Sequence, residues 1–459
     1  MRSAYGRTGA GDIIPRGIDE VTKLFEGTEL IGPGVVQVAD WRADAEPFEA
    51  TCPDPAARRG GRSGVMLPPE FLFSRAFSED PYAAYDEMRA SGPVHPIDFP
   101  PGTTAFLVVD HEHGRAALND PRLSKDSAHS SVPVNAELFF GGTMLAMDPP
   151  DHTRLRGLVA KAFTGRRVER LRPRVQEITD RLLDGVAARG EADLIEEFAV
   201  PLPIQVICEL LGVPASDRPR FREWTAVLTV PALTAQARER RREAARAFNG
   251  YLVEVIAERR AHPEDDLISG LIAARDGDAA LTESELLGGI ALLLIAGHET
   301  TVNLIGNGVF ALLRAPDQLR LLRERPELLP SAIEELLRYD GPVERASQRI
   351  ALEDMEIAGT PIPKGAWVHV SLGAANRDPA VFEDPARLHV TRAPKRHVAF
   401  GHGLHFCLGA PLARLEGQIA IGSLLRRFPD LSLALPATEY RHHRTGSIVR
   451  GLVSLPVRV

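Results

Sequence analysis

Along most of the chain, apolar residues recur at three- and four-residue intervals, the spacing of a helix that buries one face. Proline and glycine interrupt this pattern at short intervals, and Asp80-Pro81 has the form of a helix start. The pattern therefore predicts that helices dominate. We predict them at residues 81–91, 110–119, 166–187, 192–211, 215–228, 235–261, 264–275, 282–314 and 330–339, with another that begins at Ala410.

Several short apolar stretches predict strands. They lie at Val94 and at residues 106–109, 348–352, 355–357, 367–371 and 448–455. A long polar loop, residues 125–142, contains Phe139 and Phe140, and we predict that it covers a substrate because loops of that length are usually functional. Neither a repeat nor a linker follows residue 66, so residues 66–459 are predicted to form one large domain, mainly α with a small β portion.

Residues 1–65 have a different composition, rich in glycine and in mixed charge. Such a segment buries too little apolar surface to offset the entropy lost on ordering, so it is predicted to be a disordered extension, with a weak helix at 19–25. It is either a docking tail or, as we favour, a dispensable extension, as it would be if translation started near Met66.

The composition excludes several classes of protein. A net charge of -8 argues against general affinity for nucleic acid or for a membrane surface. Three widely spaced cysteines, Cys52, Cys208 and Cys407, cannot form a disulfide framework, which indicates a reducing cytoplasm. The most apolar run, residues 286–297, is shorter than the roughly 20 residues that a membrane span needs. These features predict a cytoplasmic protein.

Cys407 lies in a glycine-rich stretch, residues 400–409, directly before the helix predicted from Ala410. A lone cysteine is more often an inert buried residue than a ligand. A helix N-terminus, however, supplies N–H groups that stabilise a thiolate, and glycines let a flat ligand approach the backbone. Because no second cysteine lies near, tetrahedral zinc is unfavoured, and haem iron is the metal that suits one thiolate.

The same stretch fits the pattern F-x-x-G-x-H-x-C-x-G and resembles the haem-binding signature of the cytochrome P-450 family. The matching residues are Phe400, Gly403, His405, Cys407 and Gly409. The resemblance extends from about residue 67 to the end and implies the fold of that family, a haem b cofactor and Cys407 as the axial iron ligand. It also implies that His405 lies beside a haem propionate. The other residues implied to lie against the haem are Phe400, Gly401, Gly409 and Ala296.

A second motif, residues 296–301, lies inside the helix predicted at 282–314. Glycine, an acid and two β-branched alcohols are poor choices for a buried helix interior, and such violations often mark function. Thr300 could instead bond back to a carbonyl of its own helix. The motif resembles the family's oxygen-activation sequence, which implies that Glu299 and Thr300, at a helix bulge, deliver protons to bound dioxygen.

Charged residues form two further groups. Glu335 and Arg338 share a helix face and can pair, and the resemblance implies a buried structural pair that a later arginine, Arg387, joins. The resemblance also implies that four cations bind the haem carboxylates. They are His152, Arg156, Arg349 and His405. From the residues alone, a helix is predicted to begin around Pro149 and Pro150, and His152 and Arg156, four residues apart on it, could equally form an exposed basic face. A strand arginine such as Arg349 is usually solvated.

Six apolar residues are candidate substrate contacts, although a plain core role fits each as well. They are Leu292, Ile295, Phe139, Phe140, Ile448 and Val449. These residues are included because of where they lie relative to the sequence of that family, and not because of their spacing.

The function that the resemblance implies is that of a soluble bacterial monooxygenase, which inserts one atom of O2 into a small hydrophobic substrate by hydroxylation or epoxidation. Since no flavin or NAD fingerprint is present, electrons are expected from a ferredoxin and its reductase, docked over Cys407 near Arg154, Arg156 and Arg414. The C-terminal half is most similar to members that tailor macrolides and other polyketides in secondary metabolism. Alternatives are a hydroxylase of xenobiotics, steroids or terpenes, and a non-catalytic haem sensor or silent partner protein. A peroxide-driven enzyme is disfavoured by Glu299 and Thr300.

Overall fold

The computed structural model describes residues 72–459 apart from residue 73 and the segments 100–101, 133–141, 229–234, 274, 277–278, 394–395 and 444–447. The predicted extension, residues 1–65, and the candidate contacts Phe139 and Phe140 therefore lie outside the described residues. The α-helices of the described part are α1 Arg75–Glu79, α2 Pro81–Ser91, α3 His111–Ala117, α4 Asp151–Ala162, α5 Gly165–Arg170, α6 Arg172–Ala187, α7 Pro201–Leu211, α8 Arg218–Leu228, α9 Ala235–Ala261, α10 Leu267–Ala273, α11 Glu283–Leu313, α12 Pro316–Glu324, α13 Leu329–Asp340, α14 Leu372–Ala375 and α15 Ala410–Arg427.

Most of the predicted helices are present, although the helix predicted at 264–275 covers only Leu267–Ala273 and the short helices α1 and α14 were not predicted. Three further differences have a clear local cause or signal. The helix predicted at 166–187 is two helices, α5 and α6, since Pro173 in the first turn of α6 starts a new helix. The first part of the predicted helix 192–211 is wrong: a strand and a π-helical turn, Ile195–Ala199, precede α7 there. Helix α12 was not predicted, although a proline at its first position marks its start.

The strands are short. They are β1 Val94–Asp98, β2 Thr104–Val108, β3 Leu123–Ser124, β4 Glu191–Asp193, β5 Arg275–Asp276, β6 Ala279–Ala280, β7 Arg349–Ala351, β8 Met355–Ile357, β9 Thr360–Ile362, β10 Trp367–Val370, β11 Ser432–Leu433 and β12 Pro456–Arg458. The largest sheet has five strands in the order β1-β2-β10-β7-β3, with β10 parallel to β2 and the other pairs antiparallel. A three-stranded sheet, β11-β12-β4, joins the C-terminus to the middle of the chain.

The strand predicted at 448–455 is wrong. Val449 and Leu452 instead form isolated bridges to Val343 and His442, and the regular strand β12 begins only at Pro456. The carbonyl of Ile448 accepts a hydrogen bond from the N–H of Glu344, outside any regular strand.

Helix α11 is the centre of the helical core and packs against α7, α13 and α15. Its first turn is closed by a capping box between Thr282 and Glu285. Among the described helices, α11 is long and apolar enough to cross a membrane, and 67% of its most apolar window is buried inside the fold. The helix therefore serves as a core element here, as the sequence predicted. Two smaller apolar clusters cover the two faces of the five-stranded sheet.

Candidate active site

The loop before α15 presents Cys407 at the N-terminus of that helix. Gly401 and Gly403 both have a φ of 74°, a left-handed conformation that favours glycine. At Gly403, a Cβ would also lie 2.3 Å from Oδ1 of Asn119. The N–H of Cys407 donates to the carbonyl of Phe400 at 2.9 Å, which closes the loop. The glycine pattern seen in the sequence therefore serves the backbone geometry of this loop.

The side chain of Cys407 is exposed to solvent and lies beside the first turn of α15. Surrounding protein atoms raise the pKa of the thiol, while the N–H of Gly409, the charge of Arg156 and the N–H of Ala410 act to lower it. A thiol held in this setting loses its proton when a metal ion binds it. The other described cysteine, Cys208, is 1% exposed and packs in the core of α7. Among the described residues, Cys407 is thus the cysteine that can reach a ligand.

Basic side chains from four segments meet near Cys407. The rings of His152 and His405 have centroids 4.2 Å apart. His152 is 1% exposed, and neither of its ring nitrogens has a partner among the described residues. Burial and the nearby charges of His152, Lys125, Arg349 and Arg156 lower the pKa of His405 to about 2. Burial likewise lowers the pKa of Arg349 to about 10. The two imidazoles are therefore neutral at pH 7, and the guanidinium of Arg349 keeps its charge in a poorly hydrated place.

Within the described part of the chain, this basic cluster has one carboxylate acting on it. Asp148 is the carboxylate that acts on His152, Lys125 and Arg349, and it is already bonded to the N–H of Lys125 at 2.9 Å. An orphaned buried imidazole and an excess of buried positive charge fit a ligand that carries carboxylates. Together with the accessible thiol, these residues fit a haem with two propionates.

The two predicted arginines of this cluster are each held by a hydrogen bond to a backbone carbonyl. Arg349 donates to the carbonyl of Leu118 at 3.0 Å, and Arg156 donates to the carbonyl of Phe406, next to Cys407. Lys125 was missed by the sequence reasoning. It is buried and donates to Ser347 and Gln348, which holds the segment before Arg349. A lysine in a polar loop gives no sequence signal of burial, because the contact depends on a segment over 200 residues away.

The acid–alcohol motif lies in an unbroken part of α11, so the expected helix bulge is absent there. The hydroxyl of Thr300 donates to the carbonyl of Ala296 at 2.8 Å, and Thr301 bonds in the same way to Gly297 at 3.2 Å. Ala296 is nevertheless exposed in the middle of a core helix, while Ile295 and His298 beside it are buried. The face that carries Ala296 and Thr300 therefore borders an open space.

The predicted pair of Glu335 and Arg338 is present and buried. Both carboxylate oxygens of Glu335 accept from Arg338 at 2.8 Å. The prediction for the third member was wrong: the side chain of Arg387 is exposed, and only its carbonyl takes part, accepting from Arg338. Arg392 takes that place instead, with Nε 3.1 and 3.2 Å from the two oxygens of Glu335. The chain turns between the two arginines, which spacing alone did not show.

The apolar candidates fall in different settings. Leu292 and Ile295 are 6% and 8% exposed on α11, whereas Ile448 is 38% exposed. Val449 bridges Val343 at the edge of the segment that leads to Arg349. Their contact with a substrate stays a prediction.

Comparison with known proteins identifies the family. Residues 218–434 match the cytochrome P450 family profile. The chain is 50% identical over 386 residues to cytochrome P450 monooxygenase PikC of Streptomyces venezuelae, covering 83% of this chain and 92% of PikC. The chain belongs to the cytochrome P450 family. It is also 44% identical to 6-deoxyerythronolide B hydroxylase of Saccharopolyspora erythraea over 401 residues, 84% of this chain and 98% of that one. The solved structure of the polyketide cytochrome P450 PksS of Bacillus subtilis superposes with a TM-score of 0.80 at 41% identity, covering 84% of this chain and 98% of PksS.

Family membership confirms the predicted fold class, the haem b cofactor and the monooxygenase class of this P450. When bound through a cysteine thiolate, haem iron supplies dioxygen binding and cleavage. Such enzymes use O2, a small organic substrate and a redox partner. A second match covers residues 2–63, which fit the S-adenosyl methyltransferase profile. Composition gave no signal of this second match.

Proposed function

We propose that this P450 hydroxylates or epoxidises a small hydrophobic polyketide in secondary metabolism. The observation that supports it is the high identity, over nearly the whole of their length, to relatives named for such compounds: 6-deoxyerythronolide B hydroxylase at 44% and the polyketide enzyme PksS at 41%. The domain division at residues 65 and 66 and a cytoplasmic location are part of the same proposal. The methyltransferase match supports the division, since it ends at residue 63.

We assign proton delivery to Glu299 and Thr300. The support is their position on the face of α11 that carries the exposed Ala296, which borders an open space although the residues beside it are buried. The hydroxyl of Thr300 now bonds to the carbonyl of Ala296 and can rotate away from it to donate elsewhere. His152, His405, Arg349 and Arg156 are assigned to the haem carboxylates, and Cys407 to the iron.

The electron donor that we propose is a small acidic ferredoxin with its reductase. Next to Cys407, the apolar side chains of Leu404 and Phe406 are 53% and 40% exposed. A cavity of about 310 Å³ is lined by Phe406 together with Arg115, Arg396 and His402. Of the arginines expected to face the partner, Arg154 pairs with Glu285 and Arg414 pairs with Glu334. Arg115 and Arg396 have no such ion pair in the described part of the chain, so they are better suited to attract an acidic partner.

A reconstitution tests the substrate class and the donor together. Polyketide macrolactones are expected to give a type I spectral shift, and a compound that does so is expected to gain one oxygen atom when ferredoxin, reductase and NADPH are supplied. Without ferredoxin, product formation is expected to fall to background, as measured by mass spectrometry. A sterol or terpene that gives the shift where no macrolactone does would show that the substrate class is wrong.

Charge reversal at Arg115, in the cavity beside Phe406, tests the docking of the ferredoxin. Arg115→Glu is expected to raise the ferredoxin concentration needed for half-maximal rate by about tenfold at low salt, since steering between opposite charges is lost. Arg166→Glu, on the exposed part of α5, is the matched control and should leave it unchanged. Equal effects from both variants would contradict docking over Cys407.

Replacement of Thr300 tests the proton role. Thr300→Ala removes the hydroxyl without disturbing the helix, because the lost bond is to a carbonyl of the same helix. We expect NADPH consumption to persist while product per NADPH falls by about a hundredfold, the lower end of the range usual for a lost general acid. Thr301→Ala, whose hydroxyl bonds to Gly297, is the matched control and should stay coupled. Undiminished coupling in Thr300→Ala would contradict the assignment.

A further inference from the structure

The loop of residues 448–452 lies along the same face of α11 as Thr300. Thr300, Asn303 and Asn307 are three and four residues apart, so their side chains follow one face of the helix. Asn303 and Asn307 are 5% and 1% exposed. Amides this deeply buried in a helix that is otherwise apolar require a specific partner. Asn307 hydrogen-bonds to the loop, and Asn303 lies directly against it.

Asn307 joins the loop to the end of α13. Its Nδ2 donates to the carbonyl of Arg450 at 3.1 Å and to the carbonyl of Asp340 at 3.2 Å. Because both neighbours are acceptors, only the NH2 group of the amide can face them. A single side chain of α11 therefore connects two segments that are distant in sequence.

Asn303 fixes the same loop by close packing. A Cβ at Gly451 would lie 1.9 Å from Oδ1 and 2.3 Å from Cγ of Asn303, so only glycine fits opposite this amide. The loop cannot approach α11 as closely with any other residue there.

The rest of the loop is anchored to the segment that leads to Arg349. Arg450 is buried and pairs with Asp340 at 2.8 Å. Its N–H donates to the carbonyl of Pro342 at 2.9 Å, and the carbonyl of Ile448 accepts from the N–H of Glu344 at 2.8 Å. With α11 on one side and residues 342–344 on the other, the loop has little freedom to shift.

We propose that Asn307 and Asn303 are positioning residues for the substrate pocket: they fix the loop that carries Ile448 and Val449 relative to the face of Thr300, and so determine which bulky ligands fit. The inference rests on the proposed function, because it takes Ile448 and Val449 as residues that line the substrate pocket. The asparagines themselves are buried behind the loop and act through it.

Two azoles of different size test the inference without a known substrate. Imidazole reports access to the iron, and clotrimazole also fills the space above it. Asn307→Leu keeps the volume but removes both donors. We expect clotrimazole to bind about tenfold more weakly, as the loss of the one buried hydrogen bond to the loop, that to Arg450, predicts, while imidazole binds within about twofold of wild type. Asn249→Leu, an exposed asparagine on α9, is the matched control and should change neither.

A compensating pair separates positioning from general destabilisation. Gly451→Ala alone is expected to weaken clotrimazole in the same selective way, and Gly451→Ala with Asn303→Ala is expected to recover most of the loss, since the clash is removed. Equal weakening of both azoles, no weakening of either, or no recovery in the double variant would overturn the inference. A wild-type protein that lacks the thiolate band of its reduced carbon monoxide complex would instead contradict the proposed function.

Discussion

Glu335→Ala is expected to yield protein that retains no haem. The carboxylate of Glu335 is 3% exposed and accepts from Arg338, from Arg392 and from the N–H of His389. Removing it leaves the guanidinium of Arg338, itself 2% exposed, buried without its counter-charge. Such a loss destabilises a fold by roughly 3–5 kcal/mol, much of the stability of a typical domain. The measurement is the ratio of Soret to protein absorbance after purification in the presence of added haem.

The two arginines near Glu335 provide the controls. Arg392→Ala should lower haem content strongly, because Arg392 also donates to the carbonyls of Glu383 and Asp384 and so closes that loop. Arg387→Ala should leave it unchanged, since the side chain is exposed and only the backbone carbonyl is used. If Arg387→Ala proved as harmful as Arg392→Ala, the assignment of the third member would be wrong.

The helices could be predicted from the sequence because their apolar spacing and their end signals are local. The boundaries of α9 match residues 235–261, and those of α2 match the stretch after Asp80. Errors arose where long-range pairing overrides the local pattern. Residues 192–193 were predicted as the start of a helix but pair with β12 at the C-terminus. Residues 448–455 were predicted as one strand, but residues 448 and 450 bond to residues 342–344, whereas residues 451 and 453 bond to residues 441–443.

In the active site, too, the residues that local sequence could predict differ from those that depend on contacts between distant segments. The loop of Cys407 is contiguous, so its glycines and cysteine could be recognised together, and the Glu335–Arg338 pair lies within one helical turn. Lys125 and Arg392 could not be found, because each gains its role from a tertiary contact with a distant segment. The helix bulge was expected by family resemblance, yet α11 is regular at 296–301 and its threonines bond to their own helix.

Cys407→Ser is expected to abolish both the thiolate Soret band of the reduced carbon monoxide complex and product formation. The hydroxyl is close in size to the thiol, so the contacts of Gly409 and Ala410 at the start of α15 can persist. A serine hydroxyl, however, stays protonated where a cysteine thiol can ionise, and the electron-donating anionic ligand is lost. The variant should therefore bind haem but give a band at the position of a neutral ligand.

Cys208→Ser provides the matched control for that spectrum. Cys208 is buried in α7 and packs among apolar residues of the helical core, so the change should lower stability without altering the band. The same substitution is thus expected to remove the thiolate signature at one cysteine and to preserve it at the other. A thiolate band that survives in Cys407→Ser would show that another residue holds the iron, and the reading of residues 400–409 as the haem-ligand loop would be wrong.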